Sequence, residues 1–553
     1  MSKTLLEPKS LSVSGKPLTV AEVCRVAAGT PRVALTVAAD VQERLTRSVN
    51  LVAEAVAENR SIYGVTTGFG GMAGVAVDAH EAAASQQNLL SFLATGAGDA
   101  IDPAHVRAAM LLRANVLARG CSGVRPEIVQ RLVQFLNAGA TPVVRELGSI
   151  GASGDLVPLS VIARAITGQT GFVRVACEDG IRTGAECLAQ LGLEPLSLQP
   201  KEGLAIVNGT SFSSAVAANC VGAVRRLLAL VTSVQSMMLQ ALLVHEEPFA
   251  EFVHRQKPHP GQLWSAAMLQ RLLQEGRTFE SSGSPHVQDR YSLRCLPQYL
   301  GAVVETVARV RDVVETEMNA VSDNPLIDSA TGQFYQSGNF LGQYVGIAMD
   351  DLRRCLGLMA KHLDVQIATL VAPEFNNGLP ASLQGNAAVS YNMGLKGLQI
   401  TGNSIMPLLT WQGNPLVEHY PTHAEQFNQN INGLSWGSAH LCWQSVRLFR
   451  HYVSVSLLFA VQALDLRAKA VLGHYDGRAL LGSLTVPLYD AVCQIIGRQA
   501  EDDRPLVLDD ADQWLEDYLH ALNADLVGGE CLAAAVVPVL NSFDQEFAVR
   551  TDG

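Results

Sequence analysis

The chain has 553 residues and carries 40 lysines and arginines against 52 aspartates and glutamates, a formal net charge of -12. That balance disfavours a nucleic-acid or anionic-membrane partner and leaves a small molecule as the expected ligand. Its 10 cysteines stand singly, with no C-x-x-C pair and no His/Cys cluster at zinc spacing, which fits a reducing cytosol and a site without metal.

The opening MSKTLLEPKSLSVSGKPL has no continuous apolar run, so no leader or anchor is expected there, and the first ten residues read as loose. Asp40, with Glu43 three residues on, has the pattern of a capping box, opening a helix with the buried stripe Val41, Leu45, Val49, Val52 and Val56. A glycine-rich loop follows, Ser61-Ile62-Tyr63-Gly64-Val65-Thr66-Thr67-Gly68-Phe69-Gly70-Gly71, with the composition of a lid. A phenol at Tyr63 on such an arm can serve as a base; a packing tyrosine is the plainer alternative. Helices are expected over 81–95, 103–119 and from 126 to near 139, the last with proline at its first position.

The stretch Gly148-Ser149-Ile150-Gly151-Ala152-Ser153-Gly154-Asp155-Leu156-Val157-Pro158-Leu159-Ser160 packs small residues into a turn backed by one carboxylate. The unhindered Gly154 nitrogen can reach the Ala152 carbonyl carbon in a five-membered ring, and Ser153 can then lose water, with Asp155 placed to move protons. The product is a methylidene-imidazolone, an electrophile made from the chain itself. A G-x-S-x-G nucleophile elbow fails, because Asp155 stands at the final glycine and no β-branched strand precedes it. A plain loop before a helix started by Pro158 and stopped by Gly168 is the other alternative. Only 172–177 and short pieces nearby look strand-like, so β content should be low.

From about Lys201 the pattern is almost all helix. Lys201-Glu202-Gly203-Leu204-Ala205-Ile206-Val207-Asn208-Gly209-Thr210 leads into a long one, and Asn208 suits a cap or turn. Residues 227–244 come closest to a membrane span, but Thr232, Ser233, Gln235, Ser236 and Gln240 mark a buried helix instead. Gln288, Tyr291 and Arg294 are spaced by three and would share an arc of about 120° if helical. Asp323-Asn324-Pro325 reads as the stop of a helix. A helix from 340 to about 371, on the order of 45 Å long, would bury Leu352, Leu356, Met359, Leu363 and Ile367, with Arg353, Lys361 and Asp364 off that face. Glu425 and Gln429, four apart, would share a helix face, and a second long helix runs from 434 to about 469. Helices of this length imply bundling, including between subunits.

Taken in order, the 148–160 stretch, the Tyr63 loop, 201–210, 288–294, 323–325, Gly338-Asn339-Phe340-Leu341-Gly342-Gln343 and His423-Ala424-Glu425-Gln426-Phe427-Asn428-Gln429-Asn430 resemble the aromatic amino acid ammonia-lyase and aminomutase family. The resemblance covers nearly the whole chain from about residue 19. It implies a mainly α fold of the fumarase/aspartase-like long-helix type, with a small mixed N-terminal lobe over 1–205 bearing the electrophile and a bundle core with C-terminal helices over 206–553. It also implies a cytoplasmic homotetramer whose active sites draw loops from more than one subunit. The electrophile would be 4-methylidene-imidazol-5-one (MIO) formed from Ala152, Ser153 and Gly154, with no external cofactor.

On this resemblance Tyr63 removes the β-proton, and Asn208 and Tyr291 complete the catalytic set. Phe92 and Leu93 line the aryl pocket, and Leu204, Gln288, Phe340 and Lys396 join the substrate-binding residues. Arg294 grips the substrate carboxylate beside Asn324, while Glu425 and Gln429 face the amino group and the electrophile. Tyrosine- or histidine-preferring relatives carry histidine at one of the two aryl positions, so Phe92 implies L-phenylalanine, converted to trans-cinnamate and ammonia in phenylalanine catabolism or phenylpropanoid metabolism. The length lacks the helical insertion of plant phenylalanine lyases and implies a prokaryotic-type carbon–nitrogen lyase. A phenylalanine 2,3-aminomutase and a tyrosine or histidine lyase remain open as alternatives; intact Ala152-Ser153-Gly154 and Tyr63 argue against an inactive helical scaffold or binding protein. To act near pH 8 the Tyr63 phenol needs roughly 2 to 3 kcal/mol in favour of phenolate, which converging helix N-termini are expected to supply.

Overall fold

The computed structural model describes residues 10–30, 32–168, 172–276, 287–386, 388–419, 423–498, 503–512 and 514–548. Nearly all of the opening segment expected to be loose, 1–9, lies outside them. Contacts divide the chain into two units, one of 1–222, 310–350 and 415–443, the other of 223–309, 351–414 and 444–553. The boundary expected at 205 falls instead at 222, and two later segments return to the first unit.

The fold is mainly α, and the division falls inside its four longest helices, Ser211–Ala241, Leu296–Met318, Gln343–Val371 and Ser435–Leu472. Among the described residues Ser211–Ala241 is the one helix long and apolar enough to cross a membrane, yet 89% of its apolar window is buried. Its hydroxyls cost little there, since Thr232 and Ser233 donate to the carbonyls of Leu228 and Ala229 at 2.8 and 2.9 Å. This agrees with the buried helix expected over 227–244, except that it ends at Ala241.

In the first unit Pro103–Leu117 is buried along nearly its whole length and packs on Val20–Ala28 and Pro126–Ala138. Pro126–Ala138 begins on its proline and ends at Gly139, whose φ of 68° is left-handed. The helix expected from Asp40 spans Ala39–Ala57 and has no capping box. Its N-cap is Ala38, reached directly from the strand Ala34–Val37, so Asp40 already lies in the first turn and pairs with Arg44 at 3.3 Å while Glu43 faces Arg47 at 3.7 Å. The buried stripe is Val41, Leu45, Ser48, Val52 and Ala55, leaving Val49 and Val56 half-buried.

Strands are short. Ser10–Val13 pairs in parallel with Ala34–Val37, and Ala97–Ala100 runs antiparallel to Arg145–Leu147. Arg174–Cys177 starts two residues later than expected and lies between Thr141–Pro142 and Gly180–Thr183. The hairpin Leu326–Asp328/Gln333–Tyr335 interrupts the largely helical second half of the chain.

In the second unit the stripe Leu352, Leu356, Met359, Leu363 and Ile367 is buried as expected. Arg353, expected off that face, is only 1% exposed. Its guanidinium donates to the carbonyls of Gln412 and Asn414, so it caps the end of Lys396–Gln412 rather than meeting water.

Candidate active site

Residues 148–155 join the strand Arg145–Leu147 to the helix Leu156–Thr167 without regular structure of their own. That helix starts at Leu156, two residues before the expected proline. Pro158 sits within the first turn, where no intrahelical N–H bond is required, and Gly168 ends the helix at φ 69°. Gly154 has φ 71°, and a Cβ there would lie 2.1 Å from the Gly209 carbonyl oxygen. Only glycine permits this approach, in which the Asp155 N–H donates to the Gly209 carbonyl at 2.9 Å.

The Ser153 peptide is gripped from several sides. Its carbonyl accepts from Asn208 Nδ2 at 2.8 Å and from the Gly209 N–H at 3.3 Å, and its Oγ accepts from Gln429 Nε2 at 2.9 Å. Behind it Asp155 is fully buried and accepts from the Ser213 N–H at 2.7 Å and Ser149 Oγ at 3.0 Å. Burial pushes the Asp155 carboxyl above the usual carboxylate range, with those hydrogen bonds and the Arg113 charge opposing. In front, the carbonyls of Ile150 and Gly151 accept from the N–H groups of Leu434 and Gly433 at 3.1 and 3.2 Å, just before the helix Ser435–Leu472. Three helix N-termini therefore meet this loop.

The Tyr63 loop is fastened at its base. Ile62 and Val65 are buried with Val52, Ala55 and Ile327. Thr66 Oγ1 accepts from the Ile62 N–H at 2.8 Å and donates to the Arg60 carbonyl at 2.6 Å. Gln86 Nε2 donates to the Gly64 carbonyl at 2.8 Å, and its Oε1 accepts from the Leu204 N–H at 3.0 Å. The Tyr63 hydroxyl accepts from the Gly70 N–H at 2.9 Å. Its pKa is raised rather than lowered: burial is the main cause, the Gly70 N–H opposes it, and the nearby Glu425 charge adds to the rise. The helix N-termini expected to favour phenolate are directed at 150–155 instead.

Glu425 and Gln429 do not share a helix. They close a tight turn through paired backbone bonds between Ala424 and Gln429, at 2.9 and 3.3 Å, with Glu425, Gln426 and Phe427 at φ 51°, 48° and 64°. The reversal brings Gln429 Nε2 to 3.4 Å from Glu425 Oε1 while it holds Ser153 Oγ. The Glu425 carboxylate fills the space beside Gly70, where a Cβ would fall 1.4 Å from Oε2. Burial raises the Glu425 pKa, opposed by the Gly71 N–H.

Leu204, in the helix Glu202–Val207, is 4% exposed, and a Cβ at Gly64 would lie 2.6 Å from its Cδ2. Leu93 is buried, whereas Phe92, the last residue of Ala82–Phe92, is 48% exposed. Phe340 is half-buried. Asn324 is not at a helix end, because Leu296–Met318 has already stopped; the asparagine leads into the strand Leu326–Asp328 and accepts from the Ser337 N–H at 2.7 Å.

The first unit thus brings together Tyr63, Ser153, Asn208, Glu425 and Gln429. Gln288, Tyr291, Arg294 and Lys396 belong to the second. There Tyr291–Arg294 forms a single turn and Arg290 is extended, at φ -65° and ψ 158°, so Gln288 lies outside any common helical arc. The Arg294 guanidinium carbon lies 4.9 Å from the centre of the exposed Tyr291 ring. Lys396 is exposed at the start of Lys396–Gln412. Two site-building residues escaped the sequence reading, Gln86 and Arg113. Gln86 was detectable as a polar residue on the stripe of Ala82, Leu89 and Leu90.

The aromatic amino acid lyase family model matches residues 18–491. A phenylalanine ammonia-lyase of Nostoc punctiforme is 48% identical over 540 residues, 96% of this chain and 95% of that protein. An aromatic ammonia-lyase of Loktanella atrilutea is 41% identical over 543 residues, covering 97% and 99% of the two chains. Among solved structures, the phenylalanine aminomutase of Pantoea agglomerans superposes with a TM-score of 0.83 at 31% identity, covering 93% of this chain and 98% of its own. With the matched region spanning most of the chain and the Ser153, Tyr63 and Gln429 loops assembled in one unit, this protein belongs to the aromatic amino acid lyase family.

Proposed function

We propose that this carbon–nitrogen lyase converts L-phenylalanine to trans-cinnamate and ammonia on an MIO group formed by Ala152, Ser153 and Gly154. The observation that carries the reading is the pair of donors, Asn208 Nδ2 and the Gly209 N–H, on the Ser153 carbonyl. In forming the group, the Gly154 nitrogen bonds the Ala152 carbonyl carbon, and that oxygen leaves as water with the amide hydrogens of Ser153 and Gly154. Ser153 then loses Oγ and its Cα hydrogen as a second water. Both donors stabilise charge on the Ser153 oxygen as the Cα hydrogen departs. The residues fit the product, since Gly154 leaves no room for a side chain and Gln429 already holds the departing Oγ.

Once formed, the group supplies the electron-poor methylidene that ordinary side chains lack. Tyr63 takes the β-proton, and Glu425 and Gln429 face the amino group. Arg294, Gln288, Tyr291 and Lys396 reach the substrate from another copy of the chain in a homotetramer, with Arg294 on the carboxylate. Asn324, Phe340 and Leu204 complete the binding surface, with Phe92 and Leu93 against the ring. The enzyme acts in the cytoplasm. Phenylalanine as substrate is supported by the Nostoc relative and by the apolar Phe92.

The likeness to the Pantoea aminomutase favours one second reading, return of ammonia to the β-carbon. Incubation with L-phenylalanine separates the two: cinnamate appears in the ultraviolet, β-phenylalanine by chromatography. Intact-protein mass should lie two waters below the encoded chain, and Ser153→Ala should fold but be unable to lose the second water and keep almost no turnover. Active enzyme with an unmodified peptide across Ser153 would overturn the proposal.

A further inference from the structure

We infer that Arg113 is a positioning residue for closure of the 152–154 ring, acting through Asn208 and Gly209; this rests on the MIO reading above. Arg113 lies in the helix Pro103–Leu117 and is 0% exposed. Its Nη1 donates to the carbonyls of Ala205 and Asn208, both at 2.9 Å. Its Nε and Nη2 donate to Ser211 Oγ at 3.0 and 2.6 Å. One planar group therefore ties the end of Glu202–Val207 to the first residue of Ser211–Ala241. Between those ends lie Asn208 and Gly209, the two residues that grip the Ser153 carbonyl.

Gly209 is enclosed by the same arrangement. A Cβ there would fall 2.5 Å from Arg113 Nη2, while on the other side the Gly209 carbonyl is the atom a Cβ at Gly154 would strike at 2.1 Å. The guanidinium is thus one backbone segment away from the closing ring. A buried charge is costly to keep where apolar packing would serve. Here Asp155 and Asp323 offset part of that cost, and burial leaves the guanidinium pKa at about 10, still protonated at neutral pH. What apolar packing cannot supply is a rigid fork reaching two carbonyls and a hydroxyl at once. Donors aimed at developing charge must hold position to about 0.5 Å. The Asn208 N–H on the Leu204 carbonyl, the Gly154–Gly209 bridge and the Thr210 N–H on Ser322 Oγ hold parts of the segment, but none of these bonds holds the Asn208 carbonyl.

The test measures intact mass against time after synthesis in wild type, Arg113→Lys, Arg113→Gln and Ser211→Ala, with far-ultraviolet circular dichroism to establish folding. Folded Arg113 variants should lose the two waters at least about tenfold more slowly than wild type, and Ser211→Ala, which removes two of the four bonds, about two- to fivefold more slowly. Chains that have matured should keep a near-wild-type KM for L-phenylalanine, since Arg113 does not touch substrate. Wild-type maturation in a folded Arg113→Lys or Arg113→Gln protein overturns the inference, the lysine result showing that charge alone suffices. Should neither arginine variant fold, wild-type maturation of Ser211→Ala overturns it. A wild type that never loses the two waters defeats the MIO reading itself, a separately visible result.

Discussion

Replacing Asn208 by alanine removes the shorter of the two donors on the Ser153 carbonyl, the Nδ2 contact at 2.8 Å, and leaves the Gly209 N–H at 3.3 Å. Loss of one preorganised donor from such a pair costs about 2.7 to 4 kcal/mol of transition-state stabilisation, or 10² to 10³ in kcat. The stability cost is smaller. Asn208 is buried and makes one neutral hydrogen bond through Nδ2, worth about 1 kcal/mol, and the Ser153 carbonyl is not orphaned because its second donor remains. Catalysis should therefore fall far more than folding. Steady-state turnover, normalised to the dehydrated fraction measured by intact mass, separates a defect in ring formation from one in catalysis, and denaturant unfolding reports the stability change. A dehydration rate and a turnover per dehydrated chain that are both within about threefold of wild type would refute the role assigned to this donor pair.

Tyr63→Phe should abolish turnover while leaving the two-water mass loss intact; rates within a few-fold of wild type would assign the base elsewhere. Because burial and the Glu425 charge both raise the Tyr63 pKa, activity should climb from neutral into alkaline pH, and Glu425→Gln should move the rising limb of kcat/KM toward lower pH. An unmoved limb, or a flat profile from about pH 6 to 9, would separate Tyr63 titration from the rate. His362 is held near pKa 4 by burial, and its Nδ1 lies 2.8 Å from Gln235 Nε2. The unfolded chain binds that proton first, so stability is full above about pH 6.5 and is lost toward 4, by about 3 kcal/mol at about 1.4 kcal/mol per pH unit. Unfolding at pH 7, 5.5 and 4 should show this loss shrink in His362→Gln; an equal acid loss in both proteins would exclude His362 as its source. Phe92→His should shift kcat/KM from L-phenylalanine toward L-tyrosine, which wild type should turn over poorly, with discrimination on the order of 10² at most; an unchanged ratio would place Phe92 away from the ring.

Most of the helices were legible because apolar spacing survives folding: Leu352 through Ile367 form a buried stripe, and Pro126 and Gly139 bracket their helix. The candidate site was legible where its pattern is local. Ala152-Ser153-Gly154 contains its own nucleophile, carbonyl and leaving hydroxyl, and Tyr63 stands out among glycines. What escaped depends on contacts distant in sequence. Four-residue spacing suggested a helix at Glu425, but three successive left-handed residues turn the chain there, a state that non-glycine residues adopt only when surroundings hold them. Arg353 and Arg113 look like surface charges in sequence because the carbonyls that take them into the core lie in other segments. The direction of the Tyr63 pKa was missed for the same reason, since burial is its main cause and the Glu425 charge, which approaches through Gly70, adds to it.

That approach also constrains how the enzyme can be redesigned or can diverge. The Glu425 carboxylate occupies the volume a side chain at Gly70 would claim, so the two positions form one steric slot shared by distant stretches of chain. A library that randomises the 425 turn on a fixed Gly70 explores carboxylates, amides and smaller groups, but one that randomises position 70 on a fixed Glu425 consists mostly of collisions. Alanine at 70 would require the Glu425 carboxylate to turn aside or be shortened, and would still carry the strain of a φ of 53°. Variation in this slot should accordingly be found at 425 far more readily than at 70.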